Sequence, residues 1–428
     1  MYPIHPPAVY IHERALATPD RQARVERMLA HVHCAREPEV VADARLNEVS
    51  LSEDWPKRCR LRTGQWGRTG DPVLVFNAFT WDTPEVMAER RATYPGLAFD
   101  LLDGSNAWTF RAGRGHYGAR GTVCQDAWEL HSAFGCLHRC DYCHVGGVLN
   151  LMVNLEELVE RLPSLLAEHP WLRLLKYDNM TDTITFEPEY GASELLVGFF
   201  AQTADRYLML YTKSDNVDHL VPLDHRGHTI VSFTISSETV AREVEKETPG
   251  TSRRIAAAEK VEQAGYTPRV RLSPIVPIRG WREENRALIA ELLGRVQPDV
   301  ISIDVLGWMN PAALDEILDT SLLDERFLRA LRDFHRDGPP GPAYYPTSKH
   351  IFPHELRREV YDFVFEEIRR HDHQVRVALC NETVEMWEEF GPRLDMTPER
   401  YVCGCGPDSA PGNPLFAASG SRTNGDGA

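Results

Sequence analysis

Residues 128–144 read WELHSAFGCLHRCDYCH. The apolar WELHSAF reads as a strand, and it runs straight into three cysteines at 136, 140 and 143, spaced Cys-x3-Cys-x2-Cys. Downstream, strands alternate with helices. LRLLKYD, YLMLYTK, HTIVSFTIS, PRVRLSPIVPI and DVISIDVLGW read as strands. VNLEELVERLPSLLAEH, ASELLVGFFAQTA, GTSRRIAAAEKVEQAGY and REENRALIAELLGRV read as helices. Asn154 is placed to cap the first helix. Thr251 or Ser252 opens the third and Gly265 closes it. This alternation implies a parallel sheet with right-handed crossovers. About six such units fit before residue 336, two short of a closed eightfold barrel. The expected fold is therefore α/β, a partial (β/α)6 TIM-type barrel over residues 127–336. The cysteines fall at the carboxyl end of its first strand, the face where parallel barrels carry their active sites.

The flanks read differently. Residues 1–126 are expected to be irregular, apart from a short strand in PPAVYIHERA and a helix in TPDRQARVERMLAHV that starts near Thr18 or Asp20. Within them, 60–125 is rich in Gly, Trp and Arg and reads as a loop-rich insertion. Residues 337–407 form a small α/β extension, with a helix in PHELRREVYDFVFEEIRRH and a strand in QVRVALC. Residues 408–428 are rich in Gly, Ser and Ala and read as a disordered tail. No internal repeat is visible.

The chain has 428 residues, 43% of them hydrophobic, enough for a buried core. Its net charge of −16 repels phosphate backbones at long range and disfavours DNA as a partner. The first twenty residues show no basic flank followed by an apolar run. No segment approaches the roughly 18 apolar residues of a membrane span. A cytoplasmic protein is expected. The nine cysteines are odd in number and unevenly spaced, which points to metal or redox chemistry in place of a disulfide framework.

Three thiolates can hold three irons of a [4Fe–4S] cluster and leave the fourth iron open. An open iron can chelate the amino and carboxylate groups of S-adenosylmethionine. Electron transfer then breaks a sulfonium C–S bond and yields a 5′-deoxyadenosyl radical, which abstracts hydrogen from unactivated C–H bonds. The plainer alternative is zinc on the same cysteines with His144 or His138, in a non-catalytic interaction protein. Structural zinc sites usually pair CxxC units, and no second pair lies nearby.

The cysteine motif resembles that of the radical S-adenosylmethionine superfamily. PAVYIHERAL, CDYCH, VNLEEL, TKSDNVDHLVPLDHRGHT, PGTSRRIAAAEKVEQAGY and SPIVPIRGWREENRALIAEL together resemble the spore photoproduct lyase family. The likeness runs over about 8–30 and 127–300, with a weaker stretch over 344–380, and is most specific from Thr212 to Gly265. It implies one [4Fe–4S] cluster on Cys136, Cys140 and Cys143, with S-adenosylmethionine as cosubstrate. It places Tyr142 near the adenine and Lys213 at the cosubstrate carboxylate. Thr181, Thr234 and Ser273 fall among its small or hydroxyl residues around the cosubstrate. A one-electron donor such as flavodoxin or ferredoxin is implied.

The chain also departs from that family. Where the family has a cysteine that returns hydrogen to the product radical, this chain has Asn179, and an amide donates hydrogen atoms poorly. His144 stands where the family has a tyrosine. By that resemblance, Tyr344 and Tyr345 stand where the family has an arginine–tyrosine pair at the lesion. Cys380, Cys403 or Cys405 is then the candidate thiol for hydrogen return, and the Cys403–Cys405 stretch could fold over the barrel mouth. With the acidic charge, these departures favour a small-molecule or nucleotide-like substrate over ultraviolet-damaged DNA. Thymine-lesion repair is the second reading. Asp178 and Asp182, beside Asn179, could hold ribose hydroxyls or cap a turn. His219, His225 and His228 read as structural or surface residues. His371 and His373 end a helix, where basic groups suit the dipole.

Overall fold

Seven strands run parallel and in sequence order through the centre of the molecule. They are β1 (Ala127–Leu130), β2 (Leu174–Tyr177), β3 (Tyr207–Thr212), β4 (Thr229–Thr234), β5 (Thr267–Ile275), β6 (Val300–Val305) and β7 (Arg376–Leu379). Each pairs only with its neighbours in that order. The strand Trp108–Arg111 pairs antiparallel with β1 and forms the other edge of the sheet. This is a computed structural model, and it describes residues 1–66, 72–99, 101–114, 121–335 and 348–417. The first six parallel strands are the partial barrel the sequence implies, and β7 adds a seventh.

Side chains alternate across each strand. Leu175, Leu210, Phe233, Leu272, Ile303 and Val377 belong to the main apolar core, beneath helices such as Leu155–Glu168, Thr251–Gln263 and Trp281–Arg295. The other face turns inward and is polar. It presents Glu129, Lys176, Arg271, Ser273 and Asp304, all of which line an interior cavity. A barrel with an apolar outside and a polar inside is built to hold a polar ligand.

The N-terminal region is more regular than its composition suggests. Val9–His12, Glu39–Val41, Val73–Asn77 and Val148–Met152 form a second parallel sheet, which Ala133–Phe134 extends antiparallel. Within the stretch read as an insertion, Val73–Asn77 is buried throughout and lies in the middle of that sheet. Its run VLVFN has no polar alternation, as expected of a strand covered on both faces. Thr18 caps the helix Pro19–Leu29, its hydroxyl accepting from Arg21 N–H. Asn154 holds its N-cap position, but its amide bonds Phe79 N–H and C=O, so it fastens a neighbouring loop and does not cap the helix.

The tail also differs from expectation over its described part. Residues 408–417 fold back under the amino ends of the strands. Arg173, Arg269 and Arg376 donate to the carbonyls of Pro411, Ser409 and Leu415 at 2.7, 2.9 and 2.6 Å. Residues 418–428, Tyr344 and Tyr345 lie outside the described residues. Beyond β7, Glu382 is fully buried and receives Arg357 at 3.0 and 3.1 Å and the Tyr361 hydroxyl at 2.9 Å. Burial pushes its pKa up, but His350 and Arg357 overcome this and hold the carboxyl well below the usual range. Glu382→Ala strands a buried guanidinium and should cost about 3–5 kcal/mol in denaturant unfolding. A loss under about 1 kcal/mol would refute this. A depressed carboxylate stabilises above its unfolded pKa of about 4.3, so the wild type should lose this advantage as pH falls below that value.

Candidate active site

A cavity of about 530 Å³ occupies the barrel interior and reaches the carboxyl ends of the strands. Cys136, Cys140 and Cys143 line it there. Their loop is clamped from two sides. Arg139–Cys140 pairs antiparallel with Glu245–Lys246, Asp141 N–H donates to Val244 C=O at 2.8 Å, and Lys246 bonds the Asp141 carboxylate at 2.8 Å. From the N-terminal region, Thr63 N–H donates to Cys143 C=O at 2.8 Å and Gly64 N–H to Asp141 C=O at 3.1 Å. A Cβ at Gly64 would meet Ile317 O at 1.7 Å, so only glycine fits between the loop and that backbone. The Cys143 sulfur accepts from Val145 N–H at 3.4 Å, a contact that favours a thiolate.

Neither histidine completes a zinc set. His138 uses Nδ1 on Glu247 C=O at 2.8 Å and Nε2 on Asp182 at 3.1 Å. His144 faces the cavity with Nδ1 against Arg62 at 3.1 Å. Burial, then the Arg62 charge, push its pKa down to about 4, so it is neutral near pH 7. Among the described residues, no three His, Cys, Asp or Glu side chains are gathered at single-ion distance. A cubane instead takes its three thiolates on three separate irons. The three cysteines fit that group.

Glu245 organises the wall beside them. It is fully buried and bonds Arg254 at 2.6 Å, the Ser236 hydroxyl at 2.9 Å and the Tyr142 hydroxyl, and it pairs with Lys213 at 3.2 Å. Burial raises its pKa, but Lys213 and Arg254 bring it down to about 2. Tyr142 and Lys213 are thus fixed to each other through one carboxylate, with the ammonium 5.9 Å from the ring centre.

The other expected residues divide. Thr181, Ser273 and Asn179 line the cavity. Thr234 does not line it; it is buried in β4, where its carbonyl accepts from Arg254. Asp178 is buried against His131, Ser132 N–H and Met180 N–H. Asp182 lines the cavity, and its oxygens bond Thr212, Lys213 N–H and His138. Cys380, Cys403 and Cys405 all face the cavity. The last two neither fray nor fold over the mouth. They enter from the opposite end, with Gly404 N–H on Ser302 Oγ at 2.7 Å.

Sequence reasoning missed Arg62, Cys124, Glu245 and Arg271. For Arg271 the signal was present: in PRVRLS, arginine and serine alternate with apolar residues, as on a polar barrel interior. Glu245 lay inside the most family-specific stretch. Cys124 and Arg62 carried no local signal. Several cavity-wall atoms are buried without a partner, among them Asn179 Oδ1, Thr181 Oγ1, Arg271 Nε and Tyr401 Oη. Such atoms call for a ligand.

Residues 125–305 match the family model of spore photoproduct lyase, so the barrel region is similar to that family. The particular relatives are as follows. The spore photoproduct lyase of Bacillus subtilis (strain 168) is 28% identical over 180 residues, 40% of this chain and 53% of that protein. That of Geobacillus sp. (strain Y412MC61) is 26% identical over 177 residues, 40% and 52%. The chain thus spans about half the length of the curated relatives it matches. Among solved structures, a spore photoproduct lyase mutant with bound AdoMet and dinucleoside spore photoproduct superposes with a TM-score of 0.58 at 18% identity, over 88% of this chain and 98% of that one. At that identity the likeness establishes the shared fold. Among the described residues, no helix is long and apolar enough to cross a membrane.

Proposed function

We propose that the chain is a radical S-adenosylmethionine lyase acting on a nucleotide-like substrate of the spore photoproduct type. The observation that carries this is the clamped Cys136–Cys140–Cys143 loop facing one cavity beside the Glu245-linked pair Tyr142 and Lys213. The three cysteines would hold the [4Fe–4S] cluster. When bound, cluster and cosubstrate supply a hydrogen-abstracting 5′-deoxyadenosyl radical. Lys213, held by Glu245, offers its ammonium to the cosubstrate carboxylate. Tyr142, anchored through its hydroxyl, offers a ring face to the adenine. Thr181 and Ser273 offer hydroxyls, and Leu306, Trp308 and Leu379 keep water from that part of the wall. The proposal includes an external one-electron donor, such as flavodoxin or ferredoxin, and a cytoplasmic setting.

The comparisons support photoproduct chemistry better than the small-molecule or nucleotide-like substrate that the sequence favoured over damaged DNA. Lys176, on the cavity wall, supplies positive charge suited to a nucleotide-like anion despite the chain's overall charge of −16. The test is anaerobic incubation of reconstituted protein with reductant, S-adenosylmethionine and a dinucleotide spore photoproduct. Restored thymines are the expected result. Formation of 5′-deoxyadenosine with the photoproduct left intact would overturn the substrate assignment. Asn179→Cys places a thiol at the cavity wall and should raise the yield of restored thymine about tenfold, equivalent to about 1.4 kcal/mol of barrier. An unchanged yield would show that hydrogen return does not run through position 179.

A further inference from the structure

Seven of the nine cysteines line this one cavity. Three are the Cys-x3-Cys-x2-Cys set. The other four, Cys124, Cys380, Cys403 and Cys405, come from three separate segments and meet in the barrel interior. Cys124 lies just before β1 and Cys380 just after β7. Cys403 and Cys405 ride on the segment that enters past the amino ends of the strands, where Arg269 also holds Gly404 C=O at 3.2 Å. One guanidinium, that of Arg111, donates to Cys124 Sγ at 2.8 Å and to Cys405 Sγ at 3.4 Å. Arg271 reaches Cys380 Sγ at 3.8 Å. All four are free thiols.

Arg111 is paired with Glu129 at 2.9 Å, but Arg271 is not ion-paired among the described residues. Arg271 is 9% exposed, and among the described residues it meets no carboxylate at ion-pair distance. Its guanidinium lies 4.9 Å from the Tyr211 ring centre, and its Nε has no hydrogen-bond partner. The Tyr401 hydroxyl, on the same wall, is also buried without a partner. A buried guanidinium without a counter-ion is costly, so an anion belongs in this part of the cavity.

We propose that Cys124, Cys380, Cys403 and Cys405 bind a second iron–sulfur cluster. Four thiolates are a full ligand set for such a cluster, with no iron left open. The cluster is an anion, and the arginines that donate to its sulfurs compensate its charge. A single zinc ion fits less well. Zn–S bonds of about 2.3 Å require sulfurs about 3.8 Å apart, and no three of these side chains are gathered at single-ion distance. A fully ligated cluster exchanges electrons and does not bind S-adenosylmethionine, so it would be an electron-transfer centre facing the substrate space. As ligands, Cys380, Cys403 and Cys405 would not be the hydrogen donors that the sequence alone suggests. The inference does not depend on what the first three cysteines hold.

The test is metal content after anaerobic reconstitution with iron and sulfide. Wild-type protein should hold more than the first cluster's four irons, by about two to four. The variant C136A/C140A/C143A should keep about two to four irons with equal sulfide and a visible charge-transfer band. The variant C403A/C405A should lose that increment. About four irons in a wild type whose triple variant holds none, or zinc without sulfide in the triple variant, overturns the proposal. Should the triple variant fail to fold by circular dichroism, C403A/C405A decides: no iron lost from it overturns the proposal. All of the wild-type iron retained by the triple variant, with none left in C403A/C405A, would sink the reading of the first three cysteines and leave this one standing.

Discussion

Cys140→Ala should lower reductive cleavage of S-adenosylmethionine to the uncatalysed background. Removing one of three thiolates leaves a second iron without a protein ligand, and a cubane with two protein ligands is not held. The position admits no substitute. Cys140 is 4% exposed and its backbone is paired with Glu245, so the alanine variant keeps the loop in place and removes only the sulfur. The same holds for Cys136→Ala and Cys143→Ala, with Cys143 also losing the contact to Val145 N–H. The measurement is 5′-deoxyadenosine formed per chain under reductant, with circular dichroism to show that the variant is folded. Cleavage by the alanine variant at more than a tenth of the wild-type rate would show that the cluster is held elsewhere.

Glu245→Gln should produce the largest loss of stability at the site. The carboxylate is fully buried between Arg254 and Lys213, and Arg254 is itself fully buried. An amide keeps the volume but removes the charge, which leaves two cations uncompensated in a low-dielectric wall. Breaking such a pair costs about 3–5 kcal/mol. The effect should reach function, because the same carboxylate positions Tyr142 and Lys213. Cosubstrate affinity should fall about 10- to 100-fold in equilibrium dialysis, about 1.4–2.8 kcal/mol. Glu245→Asp keeps the charge and should recover part of the stability. Unchanged stability and affinity in Glu245→Gln would remove Glu245 from the site.

The sequence was clearest where periodicity and spacing act locally. The barrel strands and their helices followed from alternating apolar runs, and the helix Thr251–Gln263 ends at Gly265, whose φ of +91° suits glycine. The three cysteines were legible because their ligand spacing lies within ten residues. What stayed hidden depends on distant contacts. Val73–Asn77 gains its place from the distant strands Val9–His12 and Val148–Met152, and nothing in its own residues says so. Arg62, through its guanidinium on Tyr142 C=O, and Gly64, through its N–H on Asp141 C=O, reach the cysteine loop from the N-terminal region by contacts that composition cannot announce. The Cys403–Cys405 stretch resembles a frayed tail until Ser302, Arg269 and Arg376 are seen to hold it and the residues after it. Thr234 had a strand-end position like that of Ser273 but does not line the cavity. Asp178 and Asp182 looked available because their partners, His131, His138 and Thr212, lie on other elements.

The most direct test of the central claim is the fate of S-adenosylmethionine with the anaerobically reconstituted, reduced wild-type protein. The account predicts 5′-deoxyadenosine, formed by protein that carries at least about four irons and matching sulfide. Protein that binds zinc without sulfide and leaves the cosubstrate intact would contradict it.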